Sequence, residues 1–165
     1  MVDAALLIRD DLAALGLQSF VKTTGGKGLH VCVPIVPKAG WDEVKQFSKT
    51  FVEEIARKDP AGFLTKMSKD ARKGKIFLDY LRNGRGATAV AAYSPRAREG
   101  ATVATPLRWD ELSAKLDPKS FTIESVPKRL ARLKSDPWAG YFAVRQSLPA
   151  ATAPAAAAKR KAARR

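Results

Sequence analysis

Cysteine and histidine are almost missing from this chain, which holds one of each, Cys32 and His30. A single cysteine excludes an internal disulfide and fits a reducing cytosol. Long apolar runs are missing too. No stretch approaches the roughly 20 apolar residues that a bilayer-spanning helix needs, so no membrane association is expected. The N-terminus, MVDAALLIRDDL, has Asp3 where a signal peptide carries positive charge, and it reads as an amphipathic helix. There is no Lys-x-Asp-Gly run of the nucleotidyl-transfer type and no nuclease-like cluster of histidines and aspartates. Acids are scarce beside bases, 16 against 30.

That imbalance leaves a net charge of +14 on 165 residues. Five of those charges sit on Lys159, Arg160, Lys161, Arg164 and Arg165, in a final stretch of sixteen residues without an acid, so the preceding 149 residues carry +9. The positive charge belongs to the body as well as the tail, and a phosphate-rich partner is the first suspect. A basic surface tuned only for solubility is the plainer reading. With 45% hydrophobic residues, the chain is long enough for one domain with a core.

Periodicity predicts a helix over 4–15, ended by Gly16. Residues 19–23 and 29–36 read as two strands of a hairpin around a glycine-rich turn. Pro34 and Pro37 place the second strand near an edge or close to its end. Residues 41–59 form the clearest helix, with Val44, Phe47, Phe51, Val52 and Ile55 in one stripe and Asp42 and Glu43 at its start. A short helix is predicted over 61–67, a buried strand over 73–81 and a turn at NGRG (83–86). Helices are also predicted at 109–116, 126–133 and 138–146. Residues 87–107 are mixed in pattern. From Pro149 onward, alanine and basic residues alternate without core-forming side chains, which predicts a disordered arm over 149–165. The expected class is α+β, a small and mainly antiparallel sheet with flanking helices, in one domain over 1–148.

Chemistry gathers in two places. The stretch KTTGGKGLH (22–30) offers Gly25, Gly26 and Gly28, whose backbone N–H groups can converge on an anion. Lys22 or Lys27 adds charge, and Thr23 and Thr24 add hydroxyls. The spacing is not that of a P-loop, and a plain hairpin loop fits equally well. His30 is either a structural hydrogen-bonder or a donor to a phosphate or sugar oxygen. The second place is KIFLDYL (75–81). Asp79 stands there among large apolar residues, where a carboxylate needs a partner. A salt bridge to Arg72 or Arg82 is one solution, and a Mg2+ or Mn2+ ion is another. Arg72, Arg82, Arg85, Arg96 and Arg98 surround this stretch in sequence, and arginine forks bind phosphates bidentately. Together these groups suit a nucleoside triphosphate or a nucleic-acid end.

KTTGGKGLHVCVPI and KGKIFLDYLRNGRGATAVAAYSPRAREGATVATPLRWDEL, with the gap between them, resemble the polymerase domain of bacterial ATP-dependent DNA ligase D. That family belongs to the archaeo-eukaryotic primase superfamily and acts in non-homologous end joining. The similarity runs from about Ala4 to Leu148. The resemblance implies a primase/polymerase catalytic fold and metal-dependent transfer of nucleotides to DNA 3′ ends. It assigns Thr24 and His30 to the incoming nucleotide, although the family usually has serine where Thr24 stands. It assigns Asp79 to a Mn2+ or Mg2+ ion, and Arg72, Arg82 and Arg96 to the triphosphate. It also implies a cytoplasmic, nucleoid-associated protein whose partners are DNA ends, nucleoside triphosphates and ligase or Ku end-joining proteins.

The family's Asp-x-Asp motif has no counterpart in these 165 residues. Asp10 and Asp11 are adjacent on a predicted helix and point about 100° apart, unlike two carboxylates on one strand face. Two metals between carboxylates are needed for this kind of phosphoryl transfer. The expectation is therefore an incomplete catalytic site, inactive alone. It fits a polymerase half that a separately encoded N-terminal half completes, a gene remnant, or a non-catalytic module that binds DNA or nucleotides.

Overall fold

The computed structural model describes residues 1–68 and 70–149; the basic arm predicted for 149–165 falls outside this range except for Pro149. Helix α1 spans Val2–Ala14 and buries Ala4, Ala5 and Leu12. Gly16 closes it with φ +75°, while the Leu17 N–H reaches back to the Leu12 carbonyl at 3.0 Å. A left-handed glycine just past a helix end is the usual way to satisfy its last carbonyls.

Strands β1 (Phe20–Thr23) and β2 (Leu29–Cys32) form the predicted antiparallel hairpin. On its other side β1 pairs antiparallel with β5 (Pro106–Leu107), giving the order β2-β1-β5. The mixed 87–107 segment thus delivers a third strand. All four residues of β1 are buried, as befits a central strand, and β2 lies at the edge, ending before Pro34. Ala5, Val21, Leu107 and Leu112 form the core beneath this sheet. Thr23 is fully buried and bonds sideways. Its hydroxyl donates to the Val103 carbonyl at 3.1 Å and accepts from the Thr105 N–H at 2.8 Å.

Helix α2 (Trp41–Lys58) starts at Gly40, whose N–H donates to the Glu43 carboxylate at 3.1 Å. Acids in its first turn and Arg57 and Lys58 in its last match the helix dipole. Of the predicted stripe, Val52 and Ile55 are buried and pack with Leu78 in a second core, against which Ile8 of α1 also rests. The short helix predicted over 61–67 is not formed. Asp59 caps a turn instead, accepting the Gly62 N–H on its side chain at 2.9 Å and the Phe63 N–H on its carbonyl at 3.1 Å. The chain then runs extended as β3 (Phe63–Leu64), parallel to β4 (Ile76–Phe77). The strand predicted over 73–81 shrinks to β4, because Asp79 accepts the Leu81 N–H at 3.0 Å and turns the chain into a 3-10 turn at Leu81–Asn83.

The NGRG turn is present, with the Ala87 N–H on the Gly84 carbonyl at 3.1 Å. The helices predicted at 109–116 and 138–146 reduce to single 3-10 turns, Trp109–Glu111 and Tyr141–Ala143. Their aromatics go to tertiary packing: the Trp109 and Trp138 indoles donate to the Ser19 and Val21 carbonyls at 2.9 and 2.8 Å. Helix α3 (Ser125–Leu130) forms with Pro127 in its first turn, where a missing N–H costs nothing. The class is α+β, and a second, parallel sheet joins the expected antiparallel one.

Thr23→Val removes one hydroxyl and leaves the buried Thr105 N–H unpaired. Urea unfolding should show a loss of about 1–3 kcal/mol; an unchanged midpoint would refute the role given to this hydroxyl.

Candidate nucleotide and metal site

Strict alternation along the hairpin puts Lys22 and His30 opposite one another on one face of the sheet. Lys22 is 4% exposed. A buried ammonium needs acceptors, and Lys22 has two: the Val90 carbonyl at 2.7 Å and His30 Nδ1 at 3.1 Å. An ammonium only donates, so Nδ1 must be the acceptor and the ring proton must sit on Nε2. Lys22 thereby fixes the tautomer of His30 and leaves it one outward donor.

The electrostatics agree. His30 is held neutral, its pKa pushed from 6.5 to about 4, first by burial and then by the charges of Lys22 and Arg82; Asp79 pulls the other way, and Arg96 adds the least. Cys32 follows His30 on the strand, and burial raises its thiol pKa. A raised pKa makes it an inert thiol.

The glycine loop is built tightly and internally. The Thr24 N–H and hydroxyl both meet the Gly28 carbonyl at 3.1 Å. Arg96 donates to the Thr24 carbonyl at 3.3 Å, and the buried Thr102 hydroxyl donates to the Gly25 carbonyl at 2.6 Å. Gly25 has φ +63°, and a Cβ there would lie 2.6 Å from Arg96 Cγ, so only glycine fits. Thr24 and Arg96 thus hold the loop in shape, a structural duty that the sequence pattern did not show.

Asp79 lies just past β4, at the rim, not within a buried strand. Its carboxylate faces Arg82 Nε at 3.4 Å, one of the two ion pairs that the sequence left open. Arg82 also donates to the Thr88 carbonyl at 2.7 Å. Asp79, Arg82 and His30 line one trough of about 510 Å3. Arg72 goes elsewhere: its guanidinium stacks over the Phe77 ring at 4.1 Å and donates to the Met67 carbonyl at 3.1 Å. Among the described residues, no hydrogen bond or ion pair joins Arg72 to Thr24, His30, Asp79, Arg82 or Arg96. Lys22, which sets the state of His30, stood in the sequence only as one of two candidate charges. The signal that singles it out is its register opposite the histidine across a tight hairpin.

The donor set does not fit a two-metal centre. Asp79 brings one carboxylate, already shared between Arg82 and the Leu81 N–H. Among the described residues, no three His, Cys, Asp or Glu side chains gather as metal ligands. No helix among them is long and apolar enough to cross a membrane.

The family model "LigD, primase-polymerase domain" matches residues 1–138. The multifunctional non-homologous end joining protein LigD of Pseudomonas aeruginosa is 45% identical over 152 residues, 92% of this chain and 18% of that protein. The bifunctional LigD of Bacillus subtilis is 35% identical over 132 residues, 79% of this chain and 22% of that protein. A solved structure of the polymerase domain of Mycobacterium tuberculosis ligase D, in complex with DNA, matches with a TM-score of 0.76 and 33% identity. That match takes in 82% of this chain and 46% of that one. The chain therefore spans about a fifth of the two full-length relatives and just under half of the solved domain.

The neutral state of His30 has a measurable consequence. In an NMR titration the ring should stay neutral down to pH 5 and protonate at about 4, and Lys22→Met should move that value upward. An unfolded histidine titrates near 6.5, so the unfolded state binds more protons between 6.5 and 4. Stability should therefore fall as the pH drops through that window. Titration of the folded ring near 6.5 would contradict the Lys22 contact.

Proposed function

Because the chain belongs to the LigD primase-polymerase domain family, we propose that its trough is the nucleoside-triphosphate side of an end-joining polymerase site. The observation that carries this reading is the Lys22–His30 pair, which presents one Nε2–H donor in a trough that Arg82 also lines. A neutral donor with a guanidinium beside it suits a phosphate or ribose oxygen. In this proposal His30 and Thr24 orient the nucleotide, while Arg82 and Arg96 neutralise the triphosphate. Thr24 does so only by turning its hydroxyl away from Gly28. Arg72 serves only if it leaves Phe77. The setting is DNA repair in the cytoplasm at the nucleoid, with DNA ends, ligase and Ku proteins as partners.

The reaction that the family resemblance implies is metal-dependent addition of (ribo)nucleotides to a DNA 3′ end, with Mn2+ or Mg2+. Asp79 would be one ligand of such an ion. One carboxylate does not hold two cations against water, so the 165 residues alone should bind nucleotide without extending a primer. A second reading, a non-catalytic DNA-binding module, draws on the net charge of +14. Its affinity for DNA would fall steeply with salt and be indifferent to Asp79→Ala.

Equilibrium binding of ATP with Mn2+ tests the first reading. His30→Ala and Arg82→Ala should each weaken binding about tenfold, or about 1.4 kcal/mol, and Asp79→Ala should remove the Mn2+-dependent part. Primer extension on gapped DNA should be absent. Undetectable ATP binding would refute the pocket, and extension that vanishes in Asp79→Ala would refute the incomplete centre.

A further inference from the structure

A second recess, of about 580 Å3, opens across the sheet from the trough. Lys22 pairs with His30 on one side and with Pro106 on the other. Directly opposed residues share a face, so the three form one row. His30 lines the trough and Pro106 lines the recess, two strand spacings or about 10 Å apart. The segment 89–93 is the ridge between them. Ala89 lines the trough, Tyr93 lines the recess, and the Val90 carbonyl holds the Lys22 ammonium at 2.7 Å. The outer wall of the recess is aromatic. Trp138 and Tyr141 stack with centroids 4.8 Å apart and planes 11° apart, and Phe142 meets Tyr141 edge-on at 5.1 Å. Phe142 is 88% exposed. Single exposed apolar side chains are common, but this one continues a stacked cluster and stands on an anchored strap. Before it, the Trp138 indole donates to the Val21 carbonyl at 2.8 Å. After it, the Gln146 amide donates to the Gln18 and Pro34 carbonyls at 2.8 and 2.7 Å and accepts from the Gln18 N–H at 2.8 Å. A ring held this way loses little freedom when something stacks on it.

Charge says what the occupant is. From Pro137 to Arg165 the sequence has six basic residues and no acid. The first of them, Arg145, is exposed. Among the described residues only its Nη1 is engaged, with the Phe142 and Val144 carbonyls at 2.7 and 3.2 Å. The aromatic strap therefore runs beside a guanidinium and into a basic arm. Inside the recess the one charged lining residue is an acid, Asp136, whose Oδ1 accepts the Trp138 N–H at 2.7 Å. A carboxylate there repels phosphate and can accept from an exocyclic amino group. Phosphate is thus favoured outside the recess and an aromatic base within it. Aromatic faces beside a basic track are the recurring means of holding single strands. We propose that Trp138, Tyr141 and Phe142 form a stacking platform for an unpaired base of single-stranded DNA, whose flanking phosphates are met by Arg145 and the basic arm. DNA as the occupant rests on the end-joining reading above. The platform would hold a DNA strand about 10 Å from the row that carries His30, on the other side of the ridge.

The test measures binding of the full 165-residue chain to a fluorescein-labelled oligo-dC, whose amino groups suit Asp136, and to a blunt duplex without unpaired bases. Phe142→Ala should weaken oligo-dC binding at least fivefold, the lower end of what one base–aromatic stack supplies, and leave duplex binding unchanged. The loss should be as large in high salt, because stacking releases no counterions. Phe142→Tyr should restore the affinity. Arg145→Gln should flatten the salt dependence instead. Equal oligo-dC affinity of the wild-type chain and Phe142→Ala would overturn the proposal. So would an equal loss on the duplex, or a wild-type chain that binds neither DNA. Self-association that Phe142→Ala abolishes, with oligo-dC binding untouched, would make the patch a protein contact and overturn it too. ATP binding measured on the same samples separates this surface from the trough. Undetectable ATP binding with the Phe142 effect intact refutes only the nucleotide pocket, and the converse refutes only the platform.

Discussion

A buried ammonium is the constraint on which the site depends. Lys22 stands in the central strand at 4% exposure, where an unpaired cation costs far more than the fold can offset. It is tolerable only while the Val90 carbonyl and His30 Nδ1 accept from it. Two consequences follow at once. The segment around Val90, outside any regular element, is tied to the sheet. The ring of His30 is held neutral with its proton on Nε2. A single satisfied charge thus joins the stability of the hairpin to the chemistry of the trough.

The glycine loop shows how closely structural and functional duties overlap here. Thr24 and Arg96, proposed above as nucleotide contacts, are both engaged in closing the loop on itself. Gly25 fits against Arg96 with no room for a Cβ. A loop held this firmly is preorganised, so a phosphate meeting it would not have to order it. Asp79 is poised in a similar way, shared between Arg82 and a backbone N–H. Any ion that approaches it must compete with a guanidinium already in place.

Much of this was legible in the sequence. Strong periodicity gave both long helices, α1 and α2. The β-branched flanks of the glycine run gave the hairpin, and Pro34 marked its edge strand. Weak periodicity misled wherever tertiary contacts decided the outcome. Residues 61–67 turned on the cap of Asp59, and 138–146 gave up helical hydrogen bonds so that Trp138 could reach the Val21 carbonyl. The candidate site residues stood in the sequence as types, and of their contacts only the Asp79–Arg82 pair was among the alternatives weighed. Nothing local to Arg72 shows that it stacks on Phe77, and nothing local to Lys22 shows that it is buried. Partners of this kind are set by packing, which composition and spacing do not encode.

The central claim is that His30, locked by Lys22, faces the phosphates of a bound nucleotide. Because the chain has one histidine, its imidazole signals can be followed without ambiguity while ATP is added at pH 6. A phosphate that accepts from Nε2–H would shift that resonance and raise the pKa of the ring above its free value of about 4, since a nearby anion favours the charged form. That result is predicted. ATP that binds elsewhere on this basic chain would leave both the resonance and the pKa unmoved, and that outcome would contradict the account.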